Sequence, residues 1–341
     1  MRLAWIFAAL SALVIGAGGP ALARGPALVF DAADGTVLYA DDADDHWHPA
    51  SLTKIMTAYV TFKALKAGKL TLDQRIPYSP RAQMQPPMRL GLNLDATLTV
   101  DQALKALIIR SANDVAVMLA EAVGGSQPQF VSFMNETARE LGMTRTTFVN
   151  PHGLPAPMQV TTARDLAKLA RAVIRDFPEH IAYWSMFDAR IGKARIASHN
   201  GLLSTYTGAD GMKTGFICDS GYNVVASATR DGRQIMAVVL GETTSARRTI
   251  RAAHLLEHGF DIYDWKRMLE QTADLDTMPM PTSPNGVVSI RSSVISYVCG
   301  TGPPRRAKQP NVVNRKKMPS KPQTAEQRKQ GVTPAGKAAV R

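Results

Sequence analysis

One serine and one lysine stand at a spacing that suits nucleophilic chemistry. In Ser51-Leu52-Thr53-Lys54 they are three residues apart, at the start of an apolar-periodic run that predicts a helix. Residues three apart share one helix face, so the Lys54 amine can reach the Ser51 hydroxyl, where the helix dipole favours developing negative charge. A capping serine followed by a surface lysine fits the same four residues. The motif alone does not decide between these interpretations.

Two further triplets supply polar groups of a related kind. Ser111-Ala112-Asn113 offers a second hydroxyl and an amide at a junction between predicted helices. Lys213-Thr214-Gly215 offers a second ammonium directly before a strand hairpin, and Gly215 lets another backbone approach closely. Each triplet alone is common. Because all three motifs occur together, in this order and each in a suitable setting, chance is a poor explanation.

The elements that must position these residues follow from hydrophobic spacing and turn signals. Strand hairpins are predicted at the two ends of the domain, 27–30 with 36–39 and 223–228 with 234–240. Helices are predicted at 51–66, 99–109, 113–123, 127–141, 162–175 and 245–258. This order predicts an α+β fold, in which an antiparallel sheet built from both termini of the domain is covered by a helical cluster.

Most of the positive charge of the chain lies in its last segment. The chain has 341 residues and a net charge of +12, and residues 303–341 carry eleven Lys or Arg and one acid, Glu326. The rest of the chain is therefore nearly neutral, which argues against nucleic acid as a partner. The composition of 303–341 predicts a disordered tail. A role in solubility and weak contact with anionic lipid or wall polymer both remain open.

The first 23 residues have the pattern of a signal peptide. Arg2 precedes an apolar run over 3–18, and Ala21-Leu22-Ala23 is a cleavage signal. An uncleaved anchor is the alternative, but it needs about 20 apolar residues and stronger flanks. The sequence thus predicts export to the periplasm or cell envelope. Beyond the domain, 263–302 is predicted to be a short strand-like extension.

The cysteines and histidines leave less to infer. Cys218 and Cys299 are the two cysteines of the chain, and export would let them form a disulfide, with buried free thiols as the alternative. His46 and His48 flank Trp47 without a third ligand at a recognisable spacing. No metal or other cofactor is therefore predicted.

The combined motifs resemble those of the serine-type D-alanyl-D-alanine carboxypeptidases, the low-molecular-mass penicillin-binding proteins. The likeness covers about residues 26–262. It is carried by Pro49-Ala50-Ser51-Leu52-Thr53-Lys54-Ile55-Met56-Thr57, Ser111-Ala112-Asn113-Asp114, His152-Gly153-Leu154, His199-Asn200-Gly201-Leu202-Leu203 and Gly211-Met212-Lys213-Thr214-Gly215. The resemblance implies a β-lactamase/transpeptidase-like fold, with the catalytic domain at 24–262. It also implies removal of terminal D-alanine from peptidoglycan stem peptides and inhibition by β-lactam antibiotics.

The resemblance also implies catalytic roles. Ser51 would be the acylated nucleophile and Lys54 its general base, because a serine hydroxyl needs a neighbour to take its proton and no histidine lies in the motif. Lys54 can act only if it is partly neutral, and burial beside Lys213 would lower its pKa in that direction. Ser111 would relay the proton to the leaving amine.

The remaining site residues would bind the substrate. Asn113 would contact the peptide carbonyl. Lys213 and Thr214 would hold the anionic end of the substrate, with Arg248 as a further cation. The backbone N–H groups of Ser51 and Phe216 would form the oxyanion hole. The substrate-binding set implied by the resemblance is Asn113, Lys213, Thr214, Gly215, Phe216 and Arg248.

Two departures and three rival functions accompany this interpretation. Phe216 stands where many relatives carry histidine, and 263–302 is too short for the second, β-rich domain of some relatives. An endopeptidase acting on cross-links would use the same residues. A class A β-lactamase needs a Glu to activate water, and there is none between Glu140 and Glu179. A non-catalytic wall-binding protein would not need the intact catalytic set.

Overall fold

The computed structural model describes residues 25–269, 273–280 and 286–302. Its strands are β1 Ala27–Asp31, β2 Val37–Asp41, β3 Arg75–Pro77, β4 Thr97–Thr99, β5 Asp188–Ile191, β6 Ala194–Ala197, β7 Ala209–Ile217, β8 Gly221–Arg230 and β9 Arg233–Glu242. Its helices are α1 Thr53–Lys66, α2 Pro80–Gln83, α3 Val100–Lys105, α4 Asn113–Gly124, α5 Gln127–Glu140, α6 Ala163–Asp176, α7 Ala182–Ser185, α8 Leu202–Thr205 and α9 Ser245–Met268. The predicted signal peptide at 1–23 and the predicted tail at 303–341 lie outside the described residues.

A five-stranded antiparallel sheet joins the two ends of the domain. Its strand order is β2-β1-β9-β8-β7, so the first hairpin pairs with the last through β1 and β9. Side chains alternate between the two faces as a pleated strand requires. Leu28 and Phe30 pack in the large core that includes α1, whereas Val29 packs with Leu256 of α9 on the opposite face. The arrangement confirms the predicted α+β fold.

Helix α1 runs through the centre of the helical cluster. Every residue from Thr53 to Phe62 is buried, so this part of the helix has no solvent-facing stripe. A lysine in this part of the helix has to be buried as well, and Lys54 is fully inaccessible to solvent. The position of α1 therefore decides the electrostatics of the S-x-x-K motif.

Local signals define several helix ends. Thr99 and Gln102 form the predicted capping box at the start of α3. The side chains of Ser126, Thr162 and Thr244 accept a backbone hydrogen bond at the starts of α5, α6 and α9. Gly125, at a φ of 71°, follows α4 in a left-handed conformation that suits glycine.

Three predicted elements differ from the structure. The helix expected at 99–109 is α3 followed by a π-helical turn, Ala106–Arg110. The last helix extends ten residues beyond His258, because apolar residues such as Phe260 continue to pack on the sheet. Lys213-Thr214-Gly215 precedes the β8–β9 hairpin as predicted, but it lies within β7, a strand that the sequence did not indicate.

The extension at 263–302 is not strand-like where it is described. It begins as the end of α9, and Arg291–Ser293 and Tyr297–Cys299 are 3-10 turns. Its buried apolar residues, Leu275, Ile290 and Val294, pack against the core, and its strand-like pairing in the described residues is limited to an isolated bridge between Asp274 and Thr36. A disulfide between Cys218 and Cys299 ties it to the residues that follow β7. None of the described helices has the length and apolar character needed to cross a membrane.

Candidate active site

Ser51 is the middle residue of a 3-10 turn, Ala50–Leu52, that leads directly into α1. Ala50 has a φ of 47°, a left-handed conformation that is uncommon for a residue with a side chain. Ser51 is partly exposed while both of its neighbours are buried. The turn thus presents one hydroxyl at the surface of an otherwise buried helix start.

The Lys54 amine lies within hydrogen-bond distance of three oxygen atoms. Its Nζ donates to Ser51 Oγ at 3.0 Å, to Asn113 Oδ1 at 2.8 Å and to the His152 carbonyl at 2.5 Å. Burial lowers the pKa of Lys54 well below its ordinary value, and the nearby Lys213 lowers it further, against a smaller opposing effect of Asp114. The amine therefore has a much larger neutral fraction near neutral pH than a surface lysine.

Ser111 and Asn113 are positioned by the end of the π-helical turn. Ser111 has a φ of 61°, and this left-handed residue separates the turn from α4. Its hydroxyl is buried and has no hydrogen-bond partner among the described residues. Asn113 accepts from Lys54 and donates to the Pro87 carbonyl at 3.1 Å. Ser111 thus keeps a free donor and acceptor two residues before Asn113, which contacts Lys54.

Asp114 holds the segment 86–91 against the start of α4. Its carboxylate accepts hydrogen bonds from the Tyr78 hydroxyl and from the backbone N–H groups of Leu90 and Gly91. The Asn113 N–H donates to the Met88 carbonyl. The chain over 86–91 is therefore held against the start of α4, and it forms one wall of the site.

Strand β7 forms the opposite wall, at an edge of the sheet. It pairs with β8 on one side only. Gly215 lies directly against the nucleophile, since a Cβ at this position would be 3.0 Å from Ser51 N. The ring of Phe216 packs against Tyr222, with the ring centroids 4.3 Å apart. An unpaired strand edge beside Ser51 offers N–H and C=O groups to an extended peptide.

Lys213 and Arg248 bring two cations to the same wall. Lys213 is 3% exposed and its Nζ donates to the Thr214 carbonyl, while Arg248 is 4% exposed and donates to the His199 carbonyl and Ser245 Oγ. Burial and the nearby Arg248 lower the pKa of Lys213 to about 7, and burial lowers the pKa of Arg248 to about 10.

No carboxylate in the described part of the chain forms an ion pair with either Lys213 or Arg248. The side chain of His199 is neutral at neutral pH and adds no third positive charge to this wall. Burial, together with Lys213, Arg110 and Arg248, lowers its pKa to about 4. These cations are thus left without an anionic partner, and an anionic ligand would supply one.

The structure brings Ser51, Lys54, Asn113 and Gly215 together, and Lys54 also contacts one group that the sequence did not indicate. The His152 carbonyl accepts from Lys54, and a backbone group leaves no trace in residue types. His48 Nδ1 lies 2.9 Å from the Gln159 carbonyl. Among the described residues, no group of three or more His, Cys, Asp or Glu side chains is placed to hold a metal ion.

Comparisons with known proteins agree with this geometry. The chain matches the Peptidase_S11 family model, described as D-alanyl-D-alanine carboxypeptidase, over residues 15–244. It is 41% identical over 244 residues to the D-alanyl-D-alanine carboxypeptidase DacC of Escherichia coli strain K12, a match that covers 70% of this chain but 61% of DacC. It is 35% identical over 276 residues to DacA of Haemophilus influenzae, covering 77% of this chain and 70% of DacA.

Solved structures show the same relationship. Penicillin-binding protein D2 from Listeria monocytogenes, solved in a cefotaxime-bound form, is 32% identical with a TM-score of 0.64 over 70% of this chain and 97% of that chain. Penicillin-binding protein 5 from Haemophilus influenzae is 35% identical with a TM-score of 0.68, over 70% and 71%. Since a family model matches more than half of its length and the three motifs lie in one site, the chain belongs to the Peptidase_S11 family, the D-alanyl-D-alanine carboxypeptidases.

Proposed function

We propose that this protein is a serine D,D-carboxypeptidase that removes the terminal D-alanine from peptidoglycan stem pentapeptides and that β-lactam antibiotics acylate. The observation that carries the proposal is the buried Lys54 amine, 3.0 Å from Ser51 Oγ, whose pKa is well below its ordinary value. An amine of this kind can take the serine proton at neutral pH, as a general base must.

The reaction proceeds through an ester of Ser51. The Ser51 hydroxyl gives its proton to Lys54 and its oxygen bonds to the carbonyl carbon of the penultimate D-alanine. The oxyanion formed is stabilised by the backbone N–H groups of Ser51 and Phe216, at the point where β7 meets α1. When the C–N bond breaks, the proton passes from Lys54 through Ser111 to the leaving amine. Water then hydrolyses the ester.

The free carboxylate of the substrate gives the enzyme its specificity for chain ends. Lys213, the Thr214 hydroxyl and Arg248 would hold it, because these cations lack a carboxylate partner among the described residues. Asn113 would bind the peptide carbonyl while keeping its contact with Lys54. A carboxylate near Lys213 would also raise the pKa of that lysine and keep it charged.

The location of the enzyme and its further contacts are inferred from sequence alone. Residues 1–23 have the pattern of a cleaved signal peptide, which would deliver the enzyme to the periplasm or cell envelope. The basic segment 303–341 would add weak electrostatic contact with anionic lipid or wall polymer.

Two substitutions test the roles of Ser51 and Lys54. We expect Ser51→Ala to gain no mass from penicillin, as measured by intact-protein mass spectrometry. Lys54→Arg keeps the charge but removes the accessible neutral form, so acylation should slow by roughly a hundred-fold or more. Lys63→Arg is the matched control, because Lys63 lies exposed on the same helix and pairs with Glu140. A drug adduct on Ser51→Ala, or wild-type acylation by Lys54→Arg, would refute the assignment.

The carboxylate site is tested by Arg248→Ala. A charge-assisted hydrogen bond to a carboxylate contributes about 1.5–3 kcal/mol, so D-alanine release from a pentapeptide should slow by roughly ten- to a hundred-fold. Acylation by an uncharged thioester of the same acyl group should change little. Arg247→Ala, at the exposed neighbouring position, should leave both rates unchanged. Equal slowing of both substrates by Arg248→Ala would contradict this role.

The tail is tested by a chain that ends at Gly302. Because 303–341 has no apolar periodicity, we expect this chain to fold and to keep full activity on a soluble pentapeptide. Binding of the full chain to sacculi or anionic vesicles should weaken with added salt, as screening requires, and the shortened chain should not bind. Loss of soluble activity on shortening would instead make the tail part of the catalytic structure.

A further inference from the structure

The three hydrogen-bond acceptors around Lys54 Nζ bear differently on the protonated and on the neutral amine. A protonated lysine has three N–H donors, and all three are used here. A neutral amine has two N–H donors and one lone pair. To take the Ser51 proton, the amine must point its lone pair at Ser51 and donate both hydrogens to Asn113 Oδ1 and the His152 carbonyl. The His152 carbonyl therefore helps to set the direction of the lone pair.

A buried asparagine holds the turn that carries this carbonyl. Asn150 Oδ1 accepts from the Gly153 N–H at 2.8 Å, and Asn150 Nδ2 donates to the Leu154 carbonyl at 3.1 Å. These two bonds hold the two residues that follow His152. Thr57 of α1 donates to the Pro151 carbonyl at 2.6 Å on the other side. The His152 carbonyl thus lies in a turn, 150–154, that the side chain of Asn150 closes.

The side chain of Gln159 holds Asn150 in place. It is 2% exposed, and its Oε1 accepts from the N–H groups of both Val149 and Asn150 at 2.9 Å. Its Nε2 donates to Asn150 Oδ1 at 3.2 Å and to Thr53 Oγ1 at 3.5 Å. The second contact reaches the first residue of α1. The asparagine and the catalytic helix are therefore linked through one buried amide.

The turn also packs directly behind the nucleophile. Gly153 has a φ of 86°, and a Cβ at this position would lie 1.8 Å from the Ala50 carbonyl oxygen. Only glycine permits this approach. The turn therefore contacts the chain both at Lys54 and at the residue before Ser51.

From these contacts we propose that Asn150, braced by Gln159, is a positioning residue for the general base. It holds the His152 carbonyl against Lys54 Nζ and so aims the amine at the Ser51 hydroxyl, without touching substrate. The inference rests on the proposed function, because the direction of the lone pair matters only if Lys54 is the base.

Asn150→Ala separates this role from substrate binding. We expect the first-order rate constant for acylation by penicillin to fall by roughly ten- to a hundred-fold, the cost of a misplaced catalytic group. The dissociation constant of the preceding complex should stay within about twofold, since the binding residues are untouched.

The pH profile gives a second signature. The charged and titratable groups that face Lys54 are Lys213 from β7, Asp114 from α4 and His152 from the turn. None of them is altered by the substitution. Loss of an acceptor destabilises the ammonium more than the amine, so the pKa of Lys54 falls and the ascending limb of the profile moves to lower pH. A loss of folded protein would lower the rate without moving the limb.

Two variants serve as controls. Asn135 on α5 holds the same loop further upstream through hydrogen bonds with both backbone groups of Phe148, but it does not reach the turn. Asn135→Ala should lower the melting temperature as Asn150→Ala does, and leave the acylation rate constant unchanged. Asn150→Asp keeps the acceptor for the Gly153 N–H. It should restore the plateau rate to within about threefold, with the limb moved to higher pH by the added negative charge.

The results distinguish this inference from the proposed function. An unchanged rate constant in Asn150→Ala, or equal slowing in Asn135→Ala, would overturn the positioning role while wild-type acylation still stood. If the wild type itself formed no adduct, the proposed function would fail. The ¹⁵N signal of the Lys54 amine would then test whether Asn150 holds the His152 carbonyl against Lys54 Nζ. The pKa of Lys54 should be lower in Asn150→Ala and unchanged in Asn135→Ala. An equal pKa in both variants would refute this role of Asn150.

Discussion

Burial of the Lys54 amine is the constraint on which the rest of the structure depends. A charged amine is costly to remove from water, so a lysine at the centre of the helical cluster is favoured in its neutral form. The core around α1 supplies that burial, and Lys213 increases the effect from the neighbouring strand. The hydrogen bonds of Lys54 to Ser51, Asn113 and the His152 carbonyl keep the amine satisfied in either state. The fold thereby supplies the neutral amine that the proposed base role requires.

The same electrostatics prepare the site for an anion. Lys213 and Arg248 are both buried, each lies near the other, and their hydrogen bonds go to neutral oxygens. Burial and the neighbouring cation raise the free energy of the charged state of Lys213. A substrate carboxylate would relieve that cost, so part of the binding free energy is built into the protein beforehand. Water, or a peptide without a free carboxylate, would not gain this binding free energy.

The sequence allowed the elements with strong local signals to be predicted. The S-x-x-K motif indicated the start of α1, the capping box at Thr99 was found where expected, and the hairpins at both ends of the domain predicted the sheet. Strand β7 was not recognised, because lysine, threonine and glycine at its centre have weak or mixed strand preference and the strand is defined by pairing with β8. The left-handed Ser111 and the π-helical turn depend on tertiary packing. The roles of the His152 carbonyl and of the Cys218–Cys299 pair depend on proximity, which residue types do not encode.

The most direct test of the account is an NMR titration of the Lys54 side chain in the free wild-type enzyme, with the signal assigned by its absence in Lys54→Arg. We expect a pKa for Lys54 well below the ordinary 10.5. We also expect a further change when Lys213 is replaced by alanine: the pKa of Lys54 should rise, because a nearby positive charge has been removed. A Lys54 signal that titrates together with the surface lysines would contradict the claim that burial makes this residue the base.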